Sequence, residues 1–159
     1  MLPCPPPEVP AAAATTQKHP GLFSRILAPV DFSTPSQNAL AALENIPSPG
    51  KVILFHVVDR GESEEEIQTA VRTAKEQLAV VEKELAASGL AVESRVHVGY
   101  PPDEIIATAD REDVSLILMS PQGEGWSREL RTLFIGSTTN AVVRRAHQPV
   151  LVMTSGRSA

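Results

Sequence analysis

The sequence predicts an α/β fold, an open and mostly parallel sheet between two layers of helices. Three observations lead there. Segments of strand and helix character alternate from Arg25 to Thr154. Several strand candidates are uninterrupted apolar runs, as expected of strands covered on both faces. The stretches between strand candidates are long enough for helical crossovers, which parallel neighbours require.

Residues 1–22 stand apart, because PCPPPEVPAAAATTQKHP is rich in Pro, Ala and Thr and has no periodicity. They are expected to form a disordered tail ahead of one domain over residues 23–156. The PCPPP run suits a spacer or a ligand for a proline-reading domain. Within the domain, ILAPV reads as a buried strand ended by Asp31. Thr34 is placed to cap the next helix, with Pro35 at its first position and Gln37 closing a capping box. That helix is expected to run through Ala39, Leu40, Leu43 and Ile46 to Pro47, before a PSPG turn and the strand VILFHVV.

Ser63 and Glu66 form a second capping box, and Glu64 and Glu65 suit the positive end of a helix dipole. Ile67, Ala70, Val71, Ala74, Leu78, Val81 and Leu85 then recur at helical spacing up to Gly89, a terminator. AVESRVHV alternates like a strand and ends at Gly99. PPDEIIATAD is a short helix with Pro102 and Asp103 in its first turn, and VSLILMS is a fourth strand. TTNAVVRRA forms the last helix, with Arg144 and Arg145 near its negative end, and Pro149 leads into VLVMT as a fifth strand.

Composition sets limits on function. The chain has 159 residues, 42% of them hydrophobic, with one Trp, one Tyr and four Phe, so its core is aliphatic. A net charge of −5 and the lack of any basic run argue against binding to nucleic acid or anionic membranes. The single cysteine, Cys4, forms no internal disulfide and fits a reducing compartment. No apolar run reaches the roughly 20 residues of a membrane span and no signal peptide is visible, so the expected location is the cytoplasm.

The stretch from Ser120 to Thr139 is the candidate ligand site. Gly136, Ser137, Thr138 and Thr139 open a helix, where unpaired N–H groups and the helix dipole can hold a phosphate. Gly123 and Gly125 follow the fourth strand and leave room for a ligand to approach the backbone. The same residues also read as an ordinary surface loop before an N-capped helix. In parallel sheets, ligands sit beyond the carboxyl ends of the strands, where Asp31, His56 to Asp59 and Ser120 to Gly123 all lie. With the first and fourth strands adjacent, Asp31 would face the glycine loop, a carboxylate for nucleoside hydroxyls opposite a seat for phosphates. Asp31 also fits a helix-capping role or a general base. His19, His56, His97 and His147 lack metal-ligand spacing, and no serine sits in a nucleophile elbow. No catalytic residue is assigned.

Four blocks in order carry a resemblance to the universal stress protein family over nearly all of Arg25 to Thr154. They are ILAPVDFSTPSQNAL, VILFHVVD, HVGYPPDEII and LILMSPQGEG…LFIGSTTNAVVRRAHQPVLVM. The resemblance implies a five-stranded parallel sheet of order 3-2-1-4-5 in the adenine nucleotide alpha hydrolase-like class, and a homodimer formed through the last strand, Val150 to Thr154. In one branch of the family it also implies ATP, with Mg²⁺, in the cleft. Carried over by position, the nucleoside contacts are Pro29, Val30 and Asp31, with Val57 beside the adenine. The phosphate contacts are Met119, Ser120, Gly123, Gly136, Ser137 and Thr138. The family pattern is glycine, two residues, glycine, nine residues, glycine, then serine or threonine. Aligned by the strand end, Ser120 stands at the first glycine and twelve residues separate Gly123 from Gly136. Aligned by spacing, Gly123 comes first and Trp126 takes the second glycine's place. The strand-end register is preferred, because loops absorb extra residues at small entropic cost. Two functions follow: a stress-response module that binds an adenine nucleotide and is at most a slow hydrolase, or a dimeric interaction protein of the same fold that binds none.

Overall fold

The computed structural model describes residues 21–59, 61, 63–121 and 135–154. Residues 1–20 of the expected tail, Cys4 among them, and Gly123, Gly125 and Trp126 of the loop, lie outside the described residues. The elements are β1 (Arg25–Pro29), α1 (Thr34–Ala41) with a 3-10 turn at Ala42–Asn45, β2 (Lys51–Val58), α2 (Glu64–Ala87), β3 (Ala91–Val98), α3 (Pro101–Arg111), β4 (Leu116–Met119), a last helix here called α4 (Ser137–Arg145) and β5 (Val150–Val152). All strand pairs are parallel, in the order β3-β2-β1-β4-β5, as the resemblance implied.

Strand side chains alternate between two apolar layers, and this alternation fixes the register. Ile26, Ala28, Val52, Leu54, Leu116 and Leu118 face one way and pack with Leu40 and Leu43 and with Leu78 and Leu85 of α2. Leu27, Ile53, Phe55, Ile117 and Met119 face the other way and pack with Ile105 and Ala109 of α3 and Val142 of α4. The central strands are therefore continuously apolar, whereas α2, packed on one side only, buries Ala74, Leu78 and Leu85. Its Ser63–Glu66 capping box is formed in both directions. Gly89 just past its end has φ of 89°, the left-handed conformation that a helix terminator needs.

Three local expectations are corrected. The N-cap of α1 is Ser33, not Thr34, and its hydroxyl accepts from the Ser36 N–H at 3.3 Å. Thr34 and Pro35 are the first two helical residues, so no Thr34–Gln37 capping box forms. The helix also stops before Ile46, which is extended at φ −77° and ψ 123°. Pro47 forces this, since a proline disfavours helical geometry in the residue before it. The regular part of the fifth strand is Val150–Val152 rather than all of VLVMT, although the Met153 N–H still donates to the Met119 carbonyl at 2.8 Å.

The two edges of the sheet differ in chemistry. On β3, Glu93 pairs with Lys51 at 2.6 Å and with Arg95 at 2.9 Å, and Arg95 also pairs with Glu112 at the end of α3. Glu112 in turn bonds the Arg25 guanidinium at 2.6 Å. The Arg95 and Arg25 guanidinium groups hold the Glu112 carboxyl below its usual range, and Lys51 and Arg95 do the same for Glu93. The β5 edge is apolar, Val150–Val152, and its Leu151 is exposed. Among the described residues, no helix is long and apolar enough to cross a membrane.

Candidate functional site

A cleft of about 370 Å³ opens over the carboxyl ends of β1, β2 and β4. It lies where β1 sends its crossover to one side of the sheet and β4 begins the other, the switch point at which such sheets bind ligands. Pro29, Val30, Asp31, Val57, Met119, Ser120, Gly136, Ser137 and Thr138 all line it. Of the ten residues expected at the site from sequence, only Gly123 is missing, and it lies outside the described residues. Phe55, His56, Pro101, Ile105 and Thr139 line the cleft as well. Pro101 and Ile105 come from α3, the element that follows the carboxyl end of β3. The strand-end rule that pointed to Asp31 would have pointed to Pro101 too.

On the β1 side, the backbone is braced from β2. The Val30 N–H donates to the Phe55 carbonyl at 2.8 Å, extending the ladder past Pro29. The His56 Nδ1 lies 2.6 Å from the Val30 carbonyl. A carbonyl can only accept, so Nδ1 carries the proton and donates. The His56 ring also packs against Phe32 at a centroid distance of 4.7 Å. Phe32 has φ of 63°, a conformation that a bulky residue keeps only where its surroundings enforce it. Asp31 thus lies between two residues that His56 holds.

The exposed Asp31 side chain is itself directed. Its Oδ1 accepts from the Ser33 N–H at 3.0 Å and from the Ser33 hydroxyl at 2.5 Å. No described residue bonds Oδ2, which leaves one carboxylate oxygen able to accept from hydroxyls. Asp31 therefore does take part in the start of α1, and the cleft also has access to it.

On the β4 side, α4 begins at Gly136 with no side-chain cap. Its first-turn N–H groups have no carbonyl behind them in the helix, and the positive end of the dipole opens on the cleft. Two hydrogen bonds dock this end on β4. The Gly136 N–H donates to the Pro121 carbonyl at 2.7 Å, and the Thr139 hydroxyl donates to the Ser120 carbonyl at 2.8 Å. The floor between the two sides is apolar, formed by Phe55, Val57, Ile105 and Met119. Among the described residues, no cluster of His, Cys, Asp or Glu could hold a metal ion.

The sequence model of the universal stress protein family matches residues 22–154. The chain belongs to the universal stress protein family. A universal stress protein of Methanocaldococcus jannaschii is 29% identical over 157 residues, covering 83% of this chain and 95% of the relative. Its solved structure superposes with a TM-score of 0.75 at 31% identity, over 86% of this chain and 99% of that one. The adenine nucleotide alpha hydrolase-like fold of these universal stress proteins is the fold of this chain. A universal stress protein of Archaeoglobus fulgidus in complex with dAMP shares it at 23% identity and a TM-score of 0.59, over 84% of this chain and 99% of that one. A further universal stress protein, solved in complex with cAMP, shares the fold at 20% identity and a TM-score of 0.56, over 86% of this chain and 100% of that one.

Proposed function

We propose that this universal stress protein is a cytoplasmic stress-response module that binds ATP or another adenine nucleotide in the cleft between β1 and β4. The observation that carries this reading is the opening of the uncapped start of α4 onto the same cleft as Asp31. Phosphates are held by the N–H groups at Gly136, Ser137 and Thr138, beside Met119 and Ser120, with Gly123 contributing from the loop. Asp31 accepts from the ribose hydroxyls, Pro29 and Val30 flank the nucleoside, and Val57 packs against the adenine. The dAMP- and cAMP-bound relatives support an adenine nucleotide as the ligand class. Mg²⁺ enters with the phosphates. No residue is assigned to catalysis, so hydrolysis is slow at most.

Calorimetric titration of nucleotide-stripped protein with ATP and Mg²⁺ tests this. Micromolar binding that is lost in Asp31→Ala and Gly136→Val supports the reading. No heat up to millimolar ATP, with an unchanged melting temperature, overturns it.

One observation favours a second reading, a dimeric interaction protein that binds no nucleotide. Leu151 is exposed on β5, an edge strand of the sheet. Homodimerisation through Val150 to Thr154 is compatible with either function.

A further inference from the structure

Thr139 is 4% exposed and lies in the first turn of α4, three residues after the N-cap. A hydroxyl near a helix start commonly serves the helix's own N–H groups. Here the N-cap is a glycine, and the Thr139 hydroxyl donates across to the Ser120 carbonyl at 2.8 Å, at the end of β4. The bond between Gly136 and Pro121 lies alongside it at 2.7 Å. Neither bond passes through residues 122–134, so together they tie the helix start to the strand end directly. Of the two, only the Thr139 bond uses a side chain, and so only it depends on residue type.

We propose that Thr139 is the positioning residue for the phosphate end of the cleft. Its hydroxyl proton is committed to Ser120, and it acts by fixing where the uncapped N–H groups of α4 stand relative to β4. Helix N–H groups stabilise an anion only when aimed at it, and hydrogen bonds weaken steeply as their angle closes. A small rotation of α4 would therefore weaken phosphate binding and leave the nucleoside end, braced from β2, as it was. This inference rests on the nucleotide-binding reading above.

The test compares ATP with adenosine. The full chain, Thr139→Val and Thr139→Ser are titrated with ATP and Mg²⁺ by calorimetry and with adenosine by NMR shift perturbation. Thr139→Val is expected to weaken ATP binding about tenfold, the effect of one buried hydrogen bond, and to change adenosine binding less than about twofold. Thr139→Ser, which keeps the hydroxyl, should restore ATP affinity. Should Thr139→Val fail to fold, Thr139→Ala carries the same expectation. Equal loss of both ligands would mean general loosening and overturn the proposal, as would unchanged ATP affinity. Wild-type protein that binds neither ligand would overturn the nucleotide reading itself, a result distinct from a wild type that binds ATP and is indifferent to Thr139→Val.

Discussion

Ser33 joins the cleft to the start of α1 through a single hydroxyl. It donates to Asp31 Oδ1 at 2.5 Å, and the same oxygen accepts from the Ser36 N–H at 3.3 Å. Ser33→Ala removes both contacts and leaves Asp31 Oδ1 only the Ser33 N–H at 3.0 Å. We expect a loss of about 1 kcal/mol in stability, typical of a lost N-cap, together with weaker ATP binding because Asp31 loses one of its two orienting bonds. Denaturant unfolding and calorimetry on the same variant read the two effects. Lower stability with undiminished ATP affinity would show that Asp31 needs no help from Ser33.

Gly50 precedes β2 where the chain passes close to the start of β1. A Cβ there would lie 2.0 Å from the Ser24 carbonyl oxygen, which is backbone and cannot rotate aside. The Gly50 N–H also donates to the Phe23 carbonyl at 2.8 Å, so the strand cannot simply move away. Gly50→Ala should destabilise the protein by about 2 kcal/mol or more. An unchanged urea midpoint would contradict this.

Acid should weaken the cluster at the foot of the sheet. Glu112 is held below its ordinary value of 4.5, first by the hydrogen bond from Arg95 and then by that from Arg25. A carboxyl with a lowered folded-state value contributes stability above its unfolded value and loses it as pH falls through the folded one. The contribution is therefore complete at neutral pH and lost below about 4.5. Thermal melts from pH 7 to pH 3 should fall less steeply for Glu112→Gln than for wild type. Parallel curves would assign the acid sensitivity to other groups.

The proposed dimer has its own check. Leu151 is 37% exposed on the β5 edge. Leu151→Glu should yield a monomer by light scattering at micromolar concentrations where the wild type is a dimer. A wild-type monomer would remove the dimer from the account.

Signals written into local chemistry were legible in the sequence. The Ser63–Glu66 box, the apolar β2 and the terminator Gly89 could all be read without knowing what they pack against. The choice between Ser33 and Thr34 could not. Both hydroxyls can cap a helix, and the Asp31–Ser33 contact, which depends on the path out of β1, favours the first. Ile46 fits the helical spacing, and only the proline after it excludes it from the helix. Site residues at strand ends, such as Asp31 and Ser120, follow from a rule about parallel sheets. Phe55 and Ile105 required knowing which faces of β2 and α3 meet above the sheet. The role of Thr139 was hidden because a threonine in a helix's first turn ordinarily serves that helix.

The two sheet edges bear on how copies of this protein can add to one another. A contact between β5 of one copy and β3 of the next would be head-to-tail, and every copy added would leave a fresh edge for another, as in a filament. The Glu93 and Arg95 charges along β3 oppose that addition, as charged side chains on edge strands commonly do. A β5-to-β5 contact uses the same surface on both copies and closes at two. Charges at one edge of the sheet and apolar residues at the other would thus limit growth and favour a closed pair over an open chain.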